Sequence, residues 1–267
     1  ACLPEPLPTE APCTAEGLTV DDGYELMHYA QQLDDDGNVV HQRRWVHGAS
    51  TESITESLYT RGLLVHRRED IDGDARIEAV TDWIYDDRDR LLRVEAYDRV
   101  GRRTTTLDQV FDGDTVVVRT ERHAGSLVSE ERMTLDAEGR VVQQETIGAD
   151  GVRVSWWRAD YSDDLARHRV GYLGGALHVD AVERFDEEGT LIYQEGLVDG
   201  FQQTYEAGWE SPDTWTEQRW YGELEQTHSL RYDDGGRLVE ETDRLWGAGA
   251  SIDFVRTTWT FSCPPAG

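Results

Sequence analysis

Short apolar runs alternate with acidic, glycine-bearing turns along most of the chain. Leu33, Tyr85, Leu135, Phe185 and Tyr232 each close an apolar stretch, and each is followed at once by an aspartate: Asp34, Asp86, Asp136, Asp186 and Asp233. Gly37, Gly139, Gly189 and Gly236 follow at the same offset in four of these copies, and Asp89 takes that place in the fifth. Two apolar residues then resume, as at Val39-Val40 and Leu238-Val239. The pattern has a physical reading. Asp bonds its own backbone two residues on, Gly supplies a positive φ, and the apolar pair starts the next strand.

The clear copies recur at close to fifty residues, and weaker ones fall midway at Tyr59, Phe111 and Tyr161. Asp72-Gly73-Asp74, Asp98 to Gly101, Ala149-Asp150-Gly151, Gly174-Gly175 and Asp199-Gly200 divide those intervals again, so a turn arrives about every 12 or 13 residues. A strand of about eight residues plus a four-residue turn fills each interval. The spacing predicts an all-β fold, a repetitive antiparallel meander of some eighteen or nineteen short strands. Strand twist accumulates over so many strands, so the meander should curl into a shell, tube or spiral. Alternation is visible but not cleanly apolar: Ile77, Ala79, Thr81, Trp83 and Tyr85 share one face, and Leu127, Ser129, Glu131, Met133 and Leu135 another. The most polar stretch, 88–153, predicts charge pairs across neighbouring strands. Seven of the nine tryptophans lie beyond residue 150, which places the larger apolar mass in the last third.

The motif aromatic-Asp-x-x-Gly-Arg-apolar, as in Tyr232-Asp233-Asp234-Gly235-Gly236-Arg237-Leu238, resembles the YD repeats of RHS-type bacterial surface proteins and secreted toxins over roughly 33–240. That resemblance also implies a curled β-shell. The proline-rich 1–17 reads as an extended tether, 18–263 as one repeat domain and 264–267 as a short tail. Within the domain, Thr19 to Leu33 reads as the first strand.

Composition narrows the partners. The chain carries 54 Asp and Glu against 26 basic residues, a formal net charge of −28. Such a surface repels nucleic acid and anionic membranes. All the basic residues are Arg and Asn38 is the lone asparagine, a pattern that fits a GC-rich genome or a salt-adapted host. No run approaches the ~20 apolar residues of a membrane helix. A barrel in lipid is not expected either, because stretches such as Val117-Val118-Arg119-Thr120-Glu121 carry polar groups on both faces.

The three cysteines, Cys2, Cys13 and Cys263, sit near the ends. Ala1-Cys2 before a proline-rich stretch resembles a bacterial lipoprotein cleavage point, which would make Cys2 the lipid anchor. Cys13 would then pair with Cys263; the alternative is a local Cys2–Cys13 bridge with Cys263 free.

Three groups of residues are candidates for chemistry. Asp70, Asp72 and Asp74 crowd a glycine turn and suggest Ca²⁺, although such turns also form without metal. Trp209, Trp215 and Trp220, with Tyr205, Tyr221, Asp213 and Glu217 nearby, suggest a sugar platform, although large aromatics also fill cores. The eight histidines show no close ligand pair in sequence. With no nucleophile elbow and no phosphate loop, no catalytic residue is nominated; a secreted hydrolase using two carboxylates is the remaining enzymatic alternative. The expectation is an exported protein of the bacterial cell surface, periplasm or extracellular space. It would be non-enzymatic and present a β-repeat surface to a protein partner or to itself through free sheet edges. A glycan- or Ca²⁺-binding module is the alternative, and no other cofactor is expected.

Overall fold

The computed structural model describes residues 13–21, 24–49, 51–234, 236–247 and 250–262. Every regular element among them is a β-strand, and successive strands pair antiparallel throughout the registers that follow. The chain divides into two compact units.

The first unit holds β1 (Cys13–Asp21), β2 (Tyr24–Leu33), β3 (Val39–Val46), β4 (Glu52–Thr60), β5 (Leu63–Asp70), β6 (Ala79–Tyr85) and β7 (Leu91–Asp98). It also takes the start of β8 (Arg103–Asp112) and the end of β20 (Ala250–Ser262). The second unit holds the rest of those two strands and β9 (Thr115–His123), β10 (Ser126–Leu135), β11 (Val141–Gly148), β12 (Arg153–Asp163), β13 (Ala166–Leu173) and β14 (Ala176–Phe185). It continues through β15 (Leu191–Val198), β16 (Phe201–Ser211), β17 (Thr214–Tyr221), β18 (Leu224–Tyr232) and β19 (Leu238–Gly247). The twenty described strands exceed the expected eighteen or nineteen by little.

The repeated motif is a bulged hairpin. In all five clear copies the register shifts immediately before the closing residue, which then pairs with the first resumed apolar residue: Leu33 with Val39, Tyr85 with Leu91, Leu135 with Val141, Phe185 with Leu191 and Tyr232 with Leu238. At Asp136 the turn is complete. Its Oδ1 accepts from the backbone N–H of Glu138 (3.1 Å) and of Arg140 (2.9 Å), and Oδ2 accepts from Arg140 Nε at 2.8 Å. Gly139 sits at φ 83°. Asp86 and Arg90 repeat the arrangement with Asp89 at φ 62°, so the left-handed position is kept without glycine. Asp34, Asp186 and Asp233 accept from the backbone four residues on at 2.7–2.9 Å.

In the first unit Ala15, Leu33 and Val40 are buried, together with Thr19 and Asp70. The strand β1 begins at Cys13, inside the expected tether. Its signal is an alternation of small residues, Ala15, Gly17 and Thr19, on the buried face. The ring of Trp259 lies across Gly17, where a Cβ would come within 2.5 Å of it. The expected first strand, Thr19 to Leu33, is therefore the end of β1 and all of β2.

The second unit has little apolar core. Val179, Ala181 and Val198 form its buried cluster, with Ala159 and Tyr205 near full burial. Its most enclosed large side chain is Glu183. The tryptophans of the last third do not fill a core; they lie half-buried or exposed, because the strands around them present a polar face on each side. Cross-strand ion pairs such as Arg119–Glu131 and Arg122–Asp108 run through the polar stretch.

The strand β1 pairs with β20 as well as β2, and β20 pairs with β19. The hydroxyls of Thr19 and Thr257 meet at 2.8 Å along that seam. Among the described residues, β1 and β20 each have a strand paired on both sides. The expected self-association through free sheet edges needs backbone that is left unpaired.

Candidate functional site

A cleft of about 790 Å³ lies over β16 to β19 in the second unit. Its shape follows from the register. Gly208 pairs with Thr216, Thr216 with Ser229, and Ser229 with Thr242. These four small residues make one row across four strands, so the floor is low. With strands spaced by roughly 4.8 Å, the row is about 14 Å long. The next row, Glu206, Gln218, Thr227 and Arg244, stands taller, and beyond it Trp220, Glu225 and Trp246 align. Glu210 and Glu240 flank the other side.

The groups in the cleft are polar and only lightly engaged with one another. Thr216 donates to Glu210 at 3.2 Å, and its oxygen lies 3.5 Å from that of Ser229. Thr227 donates to Glu225 at 3.4 Å. Glu240 accepts from Arg231 at 3.2 Å. None of the four carboxylates Glu206, Glu210, Glu225 and Glu240 is buried.

Of the aromatic trio expected here, Trp209 and Trp215 come together edge to face at 5.6 Å, with Tyr232 5.9 Å from Trp209. Trp209 reaches the end of the cleft, but Trp220 does not line it. Trp246 does, and sequence reasoning missed it as a site residue along with the floor. Only the aligned strand register brings those positions together. Tyr205 and Glu217 sit on the opposite face, where Arg219 lies over the Tyr205 ring at 5.2 Å. Burial, first, and the carboxylate of Glu217 push the Tyr205 phenol up. Asp213 is held by the hydroxyls of Ser211 (2.6 Å) and Thr214 (3.2 Å), which lower its pKa.

The acidic turn after β5 is spent on its own backbone. Asp70, 3 % exposed, accepts from Gly73 N–H at 2.6 Å and from Ala75 N–H at 2.8 Å. Asp72 gathers with Asp70 and Glu78, whereas Asp74 caps Arg76 N–H at 2.9 Å. Glu78 in turn accepts from Ile71 N–H. Cys13 is disulfide-bonded, and both cysteines that could be its partner, Cys2 and Cys263, lie outside the described residues.

No family model and no curated protein matches the chain. Among solved structures it is similar to a porin-like protein from Bacteroides uniformis at 11 % identity and a TM-score of 0.42, over 94 % of this chain and 95 % of that one. It is also similar to TcdB2-TccC3, at 10 % identity and a TM-score of 0.20 over 85 % of this chain. For the Photorhabdus luminescens Tc holotoxin pore the values are 10 %, 0.20 and 84 %. The chain spans only 18 % and 16 % of those two chains. No described helix is long and apolar enough to cross a membrane, which leaves strands unaddressed.

Proposed function

We propose that the chain is an exported, non-enzymatic β-repeat protein whose second unit binds a polyhydroxylated ligand, a glycan chain, in the cleft over β16 to β19. One observation carries this reading: the row Gly208, Thr216, Ser229 and Thr242 makes a low hydroxyl-lined floor, with Trp246 on one side and carboxylates on both. An indole face stacks on the apolar face of a sugar ring, while hydroxyls and carboxylates bond its rim. Binding fits better than hydrolysis. A general acid at neutral pH needs desolvation to raise its pKa, and every carboxylate lining this cleft stays in contact with water. The repeat resemblance and the acidic surface fit an extracellular or envelope setting.

The test is a panel of neutral and amino-sugar oligosaccharides on the purified protein, followed by calorimetry on any hit. Trp246→Ala is expected to weaken binding by tenfold or more, about 1.4 kcal/mol. Thr242→Arg, which fills the floor, is expected to abolish it. Binding that survives both substitutions, or the absence of binding to every member of the panel, overturns the assignment.

A further inference from the structure

A second site lies in the first unit, independent of the cleft. The strand β1 pairs with β2 through a register shift: Thr19 faces Met27, but Val20 faces Glu25. Leu26 is the extra residue of this bulge. It breaks the two-residue alternation, so Glu25 and His28, three apart, project to the same side. Across the next pair, His28 faces Trp45 and the N–H of His47 donates to Leu26 at 2.8 Å. His47 therefore arrives beside the bulge.

The three side chains converge. Glu25 Oε2 lies 3.4 Å from His28 Nε2 and 3.3 Å from His47 Nδ1. One ligand atom from each residue falls within 4.8 Å of the other two. The His28 ring stacks on the indole of Trp45 at 5.4 Å and 5°, which holds the plane of the imidazole.

The spacing separates this group from His66, His168 and His228, and the convergence of two imidazoles on one carboxylate separates it from His178 and His41, which lie 3.2 and 3.9 Å from a single carboxylate each. His66, His168 and His228 meet Asp82, Asp180 and Asp243 at 2.6, 2.7 and 2.9 Å, the length of a charge-assisted hydrogen bond. The two contacts of Glu25 are longer than that. They match the edge of a tetrahedron: with metal–ligand bonds of about 2.0–2.2 Å, tetrahedral Zn²⁺ ligands stand roughly 3.3–3.6 Å apart. Two imidazoles and one carboxylate suit a borderline divalent ion and leave its fourth position to water or a ligand.

We propose that Glu25, His28 and His47 form a binding site for a divalent transition ion of the Zn²⁺ class. The experiment is calorimetric titration of the chelator-stripped full chain with Zn²⁺, and with Co²⁺ for its visible spectrum. The wild type is expected to bind Zn²⁺ and to give the intense bands of tetrahedral Co²⁺. Losing a residue that merely orients a ligand costs 10–100-fold in affinity, so His47→Gln and Glu25→Gln are each expected to cost more than about tenfold. His47 is exposed, and its variant should keep the wild-type circular dichroism, so a loss there does not report unfolding. His228→Gln, at the rival group with Glu241 and Asp243, should leave binding unchanged. No Zn²⁺ binding by the wild type, unaltered binding by the His47 and Glu25 variants, or loss only in His228→Gln overturns the proposal.

Discussion

Two faces of the second unit are built from the same residue types and use them in opposite ways. On one, Glu183 is 1 % exposed and fully engaged. Arg167 Nε donates to it at 2.5 Å, Arg169 at 2.8–3.0 Å and Gln194 Nε2 at 2.7 Å. The two guanidinium groups also flank the Trp157 ring at 5.7 and 5.6 Å. On the other face, over β16 to β19, the carboxylates, hydroxyls and Trp246 meet water. A buried charge must be matched donor for donor, so its partners are committed to the fold. Groups that stay solvated carry no such obligation and remain available to a ligand.

Substitution should expose the contrast. The largest effect is expected from Glu183→Ala, which strands Arg167 and Arg169 around an empty site. Breaking a buried pair of this kind costs about 3–5 kcal/mol, read as a fall in the urea midpoint. An unchanged midpoint would mean that water already shares this carboxylate. A smaller, pH-dependent effect is expected at the turns. The Asp86 carboxyl is lowered to about 2, first by the backbone N–H of Arg90 and further by its side chain and the N–H of Arg88. Its pKa is depressed in the folded state, so its stabilisation is present above the unfolded value of about 3.9 and is lost as pH falls towards 2. Asp86→Asn should therefore flatten the acid limb of the stability curve between roughly pH 4 and pH 2; an identical limb in both proteins would contradict the assignment. The smallest effect is expected from Thr242→Val on the cleft floor: within about 0.5 kcal/mol in stability, while oligosaccharide binding falls. A large loss of stability there would show that the cleft is part of the packing after all.

Legibility followed the range of the physics. The turns could be read because everything they need lies within five residues: an Asp acceptor, a residue tolerating positive φ and, in several copies, an Arg that returns to the Asp. The bulge in each was less visible, since it shows only in pairing. Glu183 could not be singled out among 54 acids, because its partners sit on β13 and β15. The cleft floor has the same cause: Gly208, Thr216, Ser229 and Thr242 are unremarked until four strands are set in register. His28 and His47 were passed over because the bulge at Leu26 suspends the alternation by which faces are assigned. The start of β1 was masked by nearby prolines and by small residues that carry little hydrophobic signal.

Each bulged turn also closes on its own Asp. A segment of about 50 residues, four strands and their turns, is therefore the unit that repeats. Duplicating or deleting one such module preserves strand direction and returns every later side chain to its original face. Changing the chain by a single strand reverses the direction of all that follow. A lineage built this way can lengthen or shorten by gene duplication in steps of two hairpins, and its members would differ in strand number by fours.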